Sequence, residues 1–235
     1  MVAVDAAPPE PLGPRLSKYD GVAAWYDETF RESYTTGPHS SAALLAALIG
    51  RRSGRCIDLG CGTGIHAEAL AASGLATIGA DTSIEALRIA RRHGLVPVLA
   101  DAARTPFPDG VVDTVVATHV HTDVEDMASI LREAARLLRV GGRFFYLGTH
   151  PCFVGHFVER HGDGSRTIHD GYRHSGWHHD SPWWSDGIRH RVGARHVPLA
   201  ELLNGVIAAG LRLVTVAEPD DGNIVPGTLG LVAER

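Results

Sequence analysis

Apolar residues fall into two alternating patterns along this chain. Short runs flanked by glycine or charge, Cys56 to Leu59, Leu75 to Asp81, Leu95 to Ala100, the run around Val115 and Val116, and Arg143 to Gly148, read as buried strands. Between them apolar residues recur at helical spacing. Tyr19, Val22, Tyr26 and Phe30 share one face over residues 17–34, with Ser17 and Asp20 as its N-terminal cap. Leu44, Leu45 and Leu48 define a second helix from about Ser40 to Ile49, and Ile65, Ala69 and Ala72 a third after Gly64. Thr82 and Glu85 suit a capping box for a helix with Ile84, Leu87 and Ala90 on its apolar face. Ile130, Leu131, Ala134, Leu137 and Leu138 continue the pattern up to Gly141-Gly142. A last helix is expected from Pro198 to Ala209, burying Leu199, Leu202, Leu203, Val206 and Ile207 before Gly210. Two further strands close the chain. Strands alternating with helices predict a doubly wound α/β sheet whose ligand sits beyond the carboxyl ends of the strands.

The stretch from Arg55 to Ala72 joins a strand to a helix through Gly60, Gly62 and Gly64. Without Cβ atoms these positions let the backbone turn sharply and a ligand approach its amides, with the positive end of the helix dipole behind them. A dinucleotide fingerprint has the spacing G-x-G-x-x-G and seats a pyrophosphate. Here the order is Asp58-x-Gly60-x-Gly62-x-Gly64, and a carboxylate two residues before the first glycine repels pyrophosphate but suits a cationic amine. Asp81 ends the next strand about twenty residues on, where this architecture places an acid to accept ribose hydroxyls.

In this motif the chain resembles the class I S-adenosylmethionine-dependent methyltransferases, whose first motif is D/E-x-G-x-G-x-G. The likeness extends to Asp101-Ala102, the P-F-P-D loop before the fourth strand, and LLRVGGRFFYLG. It covers roughly residues 17–149 and 195–235. It implies a Rossmann-like methyltransferase fold with a mostly parallel seven-stranded sheet, N-terminal helices over the cofactor, and a lid insert after the fifth strand. It also implies S-adenosyl-L-methionine as cofactor and S-adenosyl-L-homocysteine as product. The residues expected to hold the cofactor are Tyr26, Asp58, Gly60, Cys61, Gly62, Gly64, Asp81, Thr82, Asp101, Ala102 and Thr118. One domain over residues 15–235 is expected, after a disordered tail over residues 1–14 whose alanine and proline content is not that of a signal peptide.

Composition narrows the acceptor. A net charge of −5 offers no electrostatic case for nucleic acid or an acidic membrane, and no apolar run has the ~20 residues of a membrane span. Cys56, Cys61 and Cys152 cannot all pair, which suits a reducing cytoplasm. The D/N-P-P-Y/F signature of nucleic-acid amino methyltransferases is replaced by Thr118-His119-Val120-His121, leaving a small-molecule acceptor, methylated on oxygen or nitrogen by a monomer or homodimer, as the expectation. The alternative is a protein of the same fold that uses the cofactor pocket for a cyclisation or isomerisation. His121 after the fourth strand and His150 after the fifth are the candidate bases, and His119 to Asp123 resembles the H-D-W-x-D stretch of plant-type O-methyltransferases, whose histidine is the base. A base titrating near neutrality would raise the rate through about pH 6 to 7. Residues 150–196, rich in histidine and tryptophan, are expected to form a lid, with Arg189, Arg191 and Arg195 available to an acidic acceptor. No metal site is expected, because the histidine spacings, His178-His179-Asp180 included, do not project ligands to one side.

Overall fold

The short apolar runs pair into one sheet. The computed structural model describes residues 17–184 and 187–235, so the tail expected over residues 1–14 lies outside the described residues. The strands are β1 (Gly54–Leu59), β2 (Leu75–Asp81), β3 (Val96–Leu99), β4 (Val112–Thr118) and β5 (Leu138–Thr149), then four three-residue strands, β6 (Val158–Arg160), β7 (Arg166–Ile168), β8 (Gly176–His178) and β9 (Ala194–His196), and finally β10 (Arg212–Ala217) and β11 (Thr228–Glu234). The main sheet has the order β10-β11-β5-β4-β1-β2-β3. β1 to β5 pair in parallel, and β11 runs antiparallel to both β5 and β10. The strand order reverses at β1, flanked by β2 and β4, and this reversal opens a crevice at the carboxyl ends of those three strands.

Helices cover both faces because the central strands are apolar on both. They are α1 (Ala23–Thr35), α2 (Ser41–Ile49), α3 (Ala67–Ala72), α4 (Ile84–Arg92), α5 (Met127–Leu137), α6 (Ile188–Val192) and α7 (Leu199–Ala208). Alternate residues of β4 separate the two layers: Val115 and Ala117 pack with Ile130, Leu131, Leu202 and Val206 of α5 and α7, while Val116 packs with Leu44, Leu45 and Leu70 of α2 and α3.

Several expected boundaries move, each for a local reason. Gly21 at φ +82° interrupts the first helix, so residues 17–22 form turns and α1 begins at Ala23. Ser17 Oγ accepts from Tyr19 N in that turn instead of capping a helix. Ser83, not Thr82, caps α4 by accepting from Ala86 N at 3.1 Å; Glu85 instead accepts from Gly21 N, and Ile84 is 43% exposed. α5 stops at Leu137, and Leu138 already pairs with Val112. The Gly141-Gly142 pair lies in the bulge where the register shifts to Thr114 and Arg143. Ile207 of α7 is 60% exposed instead of buried. The insert after β5 folds as two small pairs, β6 with β7 and β8 with β9, plus the short α6.

The loop carrying Asp101 and Ala102 is anchored by a buried acid. Glu133 of α5 accepts from Thr105 N at 2.7 Å and Thr105 Oγ1 at 2.5 Å, and pairs with Arg136 at 2.7 Å. Burial opposes its charge, but Arg136 and Thr105 together hold its carboxyl below the usual range. Glu133→Ala should cost about 3 kcal/mol, the order seen when one partner leaves a buried ion pair. The loss should shrink as pH falls through the depressed carboxyl pKa, where the wild type also gives up this contribution. Urea unfolding at neutral and acid pH measures both.

Candidate active site

The glycine turn is docked onto β2 before any ligand arrives. Gly60 N and Cys61 N both donate to Ala80 O, at 2.8 and 3.2 Å. Asp81 then clamps the loop, accepting from Gly62 N at 2.9 Å on Oδ2 and from Ser83 N at 2.8 Å on Oδ1. Each carboxylate oxygen keeps acceptor capacity for further donors. Gly60, Gly62 and Gly64 all have positive φ, yet they serve differently. A Cβ on Gly60 would lie 2.8 Å from Val120 Cγ2, and one on Gly64 would lie 3.1 Å from Ala90 of α4, so those two permit close packing. A Cβ on Gly62 meets no protein atom within 4 Å.

Above the turn lies a cleft of about 320 Å³, within the range of small-molecule sites. Of the expected cofactor residues, Tyr26, Gly60, Cys61, Gly62, Asp81, Thr82, Asp101, Ala102 and Thr118 line it. Asp58 and Gly64 do not. Asp58 is buried within the sheet beneath the loop, with Oδ1 lacking any partner among the described residues. Burial, then the charge of Asp81, pushes its carboxyl up to about 7. Asp27, beside Tyr26, braces the loop from α1: it pairs with Arg31 at 2.6 Å, and Arg31 Nη2 donates to Thr63 O at 3.0 Å.

The far wall is built from residues that the sequence reading did not assign. His66, just past the glycines, and His119, just past β4, both line the cleft with Tyr34. Tyr34 stacks on His119 at 5.3 Å, and Ser41 Oγ lies 2.7 Å from His66 Nε2 and 3.0 Å from His119 Nε2. Burial lowers both histidines, His66 to about 3 and His119 to about 4, so both are neutral at physiological pH.

The two histidines expected as bases lie elsewhere. His121 is buried against β5, with Nδ1 2.6 Å from Tyr146 Oη, and burial lowers it to about 3, outside the neutral range expected for it. His150 is 2% exposed, its Nε2 2.8 Å from Glu218 and its Nδ1 accepting from Cys152 N. Neither lines the cleft. His119, with a left-handed φ of +54° just past β4, lines the cleft in place of His121.

The insert packs against the N-terminal segment and the loop after β4, and none of its described residues lines the cleft. Arg189 of α6 pairs with Asp123 at 2.8 Å, and Tyr19 Oη donates to the same carboxylate at 2.9 Å. The Lys18 ammonium sits 3.1 Å from the centroid of the Trp177 ring, and the Arg191 guanidinium 4.1 Å from that of Trp25. Arg189 and Arg191 are thereby engaged within the protein, contrary to the expectation that they await an acidic acceptor.

Residues 57–146 match the family described as a methyltransferase domain. A demethylmenaquinone methyltransferase of Mycolicibacterium vanbaalenii is 37% identical over 128 residues, 54% of this chain and 56% of that one. A ubiquinone biosynthesis O-methyltransferase of Sodalis glossinidius is 33% identical over 141 residues, 56% of this chain and 57% of that one. The chain thus spans little more than half the length of these curated relatives. The crystal structure of an S-adenosylmethionine-dependent methyltransferase from Mesorhizobium loti superposes with a TM-score of 0.66 at 25% identity, covering 82% of this chain and 96% of that one. Residues 57–146 thus carry a methyltransferase domain, and the relatives and the fold support a class I S-adenosylmethionine-dependent methyltransferase.

The site fits that cofactor on its own geometry. Gly62 leaves open space beside the cleft, Asp81 lines it with acceptor capacity that would suit ribose hydroxyls, and the Asp58 carboxyl, buried beneath the loop with Oδ1 unpartnered among the described residues, would favour a cation above it. A cation above the loop should lower the carboxyl from about 7, so binding releases protons near neutral pH and tightens as pH rises through that value. Calorimetry with S-adenosylmethionine in buffers of different ionisation enthalpy should show this release in the wild type and lose most of it in Asp58→Asn. Equal heats in all buffers would count against the assignment.

Proposed function

We propose that this protein transfers a methyl group from S-adenosylmethionine to an oxygen or nitrogen of a small-molecule acceptor, with an aromatic metabolite as the favoured class. The observation that carries this reading is the two-sided cleft: the Asp81-clamped glycine turn on one side, and the neutral His66, His119 and Tyr34 on the other. Bound S-adenosylmethionine supplies a methyl group already activated on a sulfonium. The chain's own task is to orient the acceptor and exclude water, and positioning of this kind is worth ~7 to 11 kcal/mol. Tyr26 and Tyr34 offer flat faces, and the Tyr19–Asp123–Arg189 contacts tie the insert to the rim of the cleft at Tyr19 and Asp123. An aromatic acceptor agrees with the relatives named for menaquinone and ubiquinone biosynthesis. The acidic balance favours a small molecule over nucleic acid, the free cysteines suit a cytoplasmic enzyme, and none of the described helices is long and apolar enough to cross a membrane.

The protein incubated with trideuteromethyl-labelled cofactor and a panel of hydroquinones, phenols and aromatic amines should yield an acceptor heavier by one labelled methyl, together with S-adenosylhomocysteine. An acceptor converted without gain in mass and without S-adenosylhomocysteine would instead indicate a cyclase or isomerase using the same pocket.

A further inference from the structure

Four polar side chains from three separate segments, Ser41, His66 and the adjacent Thr118 and His119, meet in one line at the cleft wall. Thr118 Oγ1, at the end of β4, lies 3.1 Å from His66 Nδ1. His66 Nε2 lies 2.7 Å from Ser41 Oγ, at the start of α2, and Ser41 Oγ lies 3.0 Å from His119 Nε2. His119 Nδ1 has no hydrogen-bond partner among the described residues, and the ring lines the cleft against Tyr34. His119 is also the only non-glycine residue with positive φ among the described residues, a conformation that persists only where surrounding structure holds it.

The serine hydroxyl carries one proton, so it donates to one histidine and accepts from the other, and the tautomers of both rings are coupled. When His119 Nε2–H donates to Ser41, the serine donates to His66 Nε2, and His66 Nδ1–H donates to Thr118. His119 Nδ1 is then bare and faces the acceptor.

We propose that Thr118, His66, Ser41 and His119 form a proton relay whose cleft end, His119 Nδ1, takes the proton of the acceptor's O–H or N–H group. This rests on the methyltransferase reading above. The O–H or N–H bond breaks toward the acceptor atom, which keeps the electron pair for its new bond to carbon, and the proton joins His119 Nδ1. The His119 Nε2 proton shifts to Ser41 Oγ as the serine proton shifts to His66 Nε2, leaving the one added charge on the His66 imidazolium. The reverse path returns that proton to water when product leaves. His119 is the catalytic residue of this set, while Ser41 and His66 are positioning residues that fix its tautomer. The charged and titratable neighbours on all sides are Tyr34 and Arg31 from α1, Asp123 after β4, and Arg189 from α6. Asp123 favours a proton on His119, whereas Arg189 opposes it there and Arg31 opposes it on His66. The resting relay is therefore neutral, and its lowered proton affinity makes it a base that holds the acceptor's proton only transiently.

Nitrogen-15 NMR of histidine-labelled full chain tests this without turnover, with His66→Asn and His119→Asn assigning the signals. Both rings should be neutral from pH 6 to 8, His119 protonated on Nε2 and His66 on Nδ1. Ser41→Ala should shift the tautomers of both, and Ser41→Thr should restore them. Tautomers indifferent to Ser41→Ala overturn the relay whatever the kinetics show. In the labelled-methyl assay with hydroquinone, His119→Asn, which tolerates the left-handed backbone, should lower kcat about 100-fold with S-adenosylhomocysteine affinity within twofold of wild type. Unchanged kcat overturns the base assignment. Hydroquinone left unmethylated by the wild type bears on the acceptor reading instead, and the NMR result still decides the relay.

Discussion

The carboxylate of Asp81 holds the site together. It joins the end of β2 to the glycine turn through Gly62 N and to the start of α4 through Ser83 N, while the neighbouring Ala80 carbonyl receives Gly60 N and Cys61 N. The turn is thus set by hydrogen bonds to a charged group, each worth about 1.5 to 3 kcal/mol. The same corner recruits the N-terminal segment, because Ser83 Oγ donates to Asp20 and Glu85 accepts from Gly21 N. Through Tyr19 and Asp123 it reaches the insert at Arg189.

This arrangement places two acids close together. Asp58 lies under the loop that Asp81 clamps, and burial raises both carboxyls, with the charge of Asp81 adding to the rise at Asp58 and that of Asp123 at Asp81. A buried acid with a raised pKa favours its neutral form, so its contribution to stability falls as pH rises from the ordinary carboxylate range to about 7. A cation in the cleft relieves that cost. Charge complementarity, more than cleft shape, is what distinguishes this glycine turn from one that seats pyrophosphate.

The parts of this fold set by local chemistry were legible in the chain. The glycine spacing, the acid ending β2 and the alternation of strand and helix need only short-range patterns, and the glycine turn and Asp81 meet at the cleft as expected. What was not legible depends on long-range contacts. Ser41 and His119 are 78 residues apart, and Tyr19 and Asp123 are 104 apart, so nothing in either local pattern signals the pairing. Position after β4 alone does not separate His119 from His121, because which ring reaches the cleft depends on the left-handed turn at His119 and on packing against Tyr34 and Tyr146. The insert's arginines read as free cations because Asp123 and Trp25, their partners, lie far along the chain.

The most direct measurement is the calorimetric affinity of S-adenosylhomocysteine for the wild type and for Asp81→Asn, with NAD as the competing ligand class. S-adenosylhomocysteine should bind the wild type and NAD should not, and the substitution should weaken binding about tenfold or more while the protein stays folded. Tight NAD binding, or an S-adenosylhomocysteine affinity that Asp81→Asn leaves unchanged, would contradict the account.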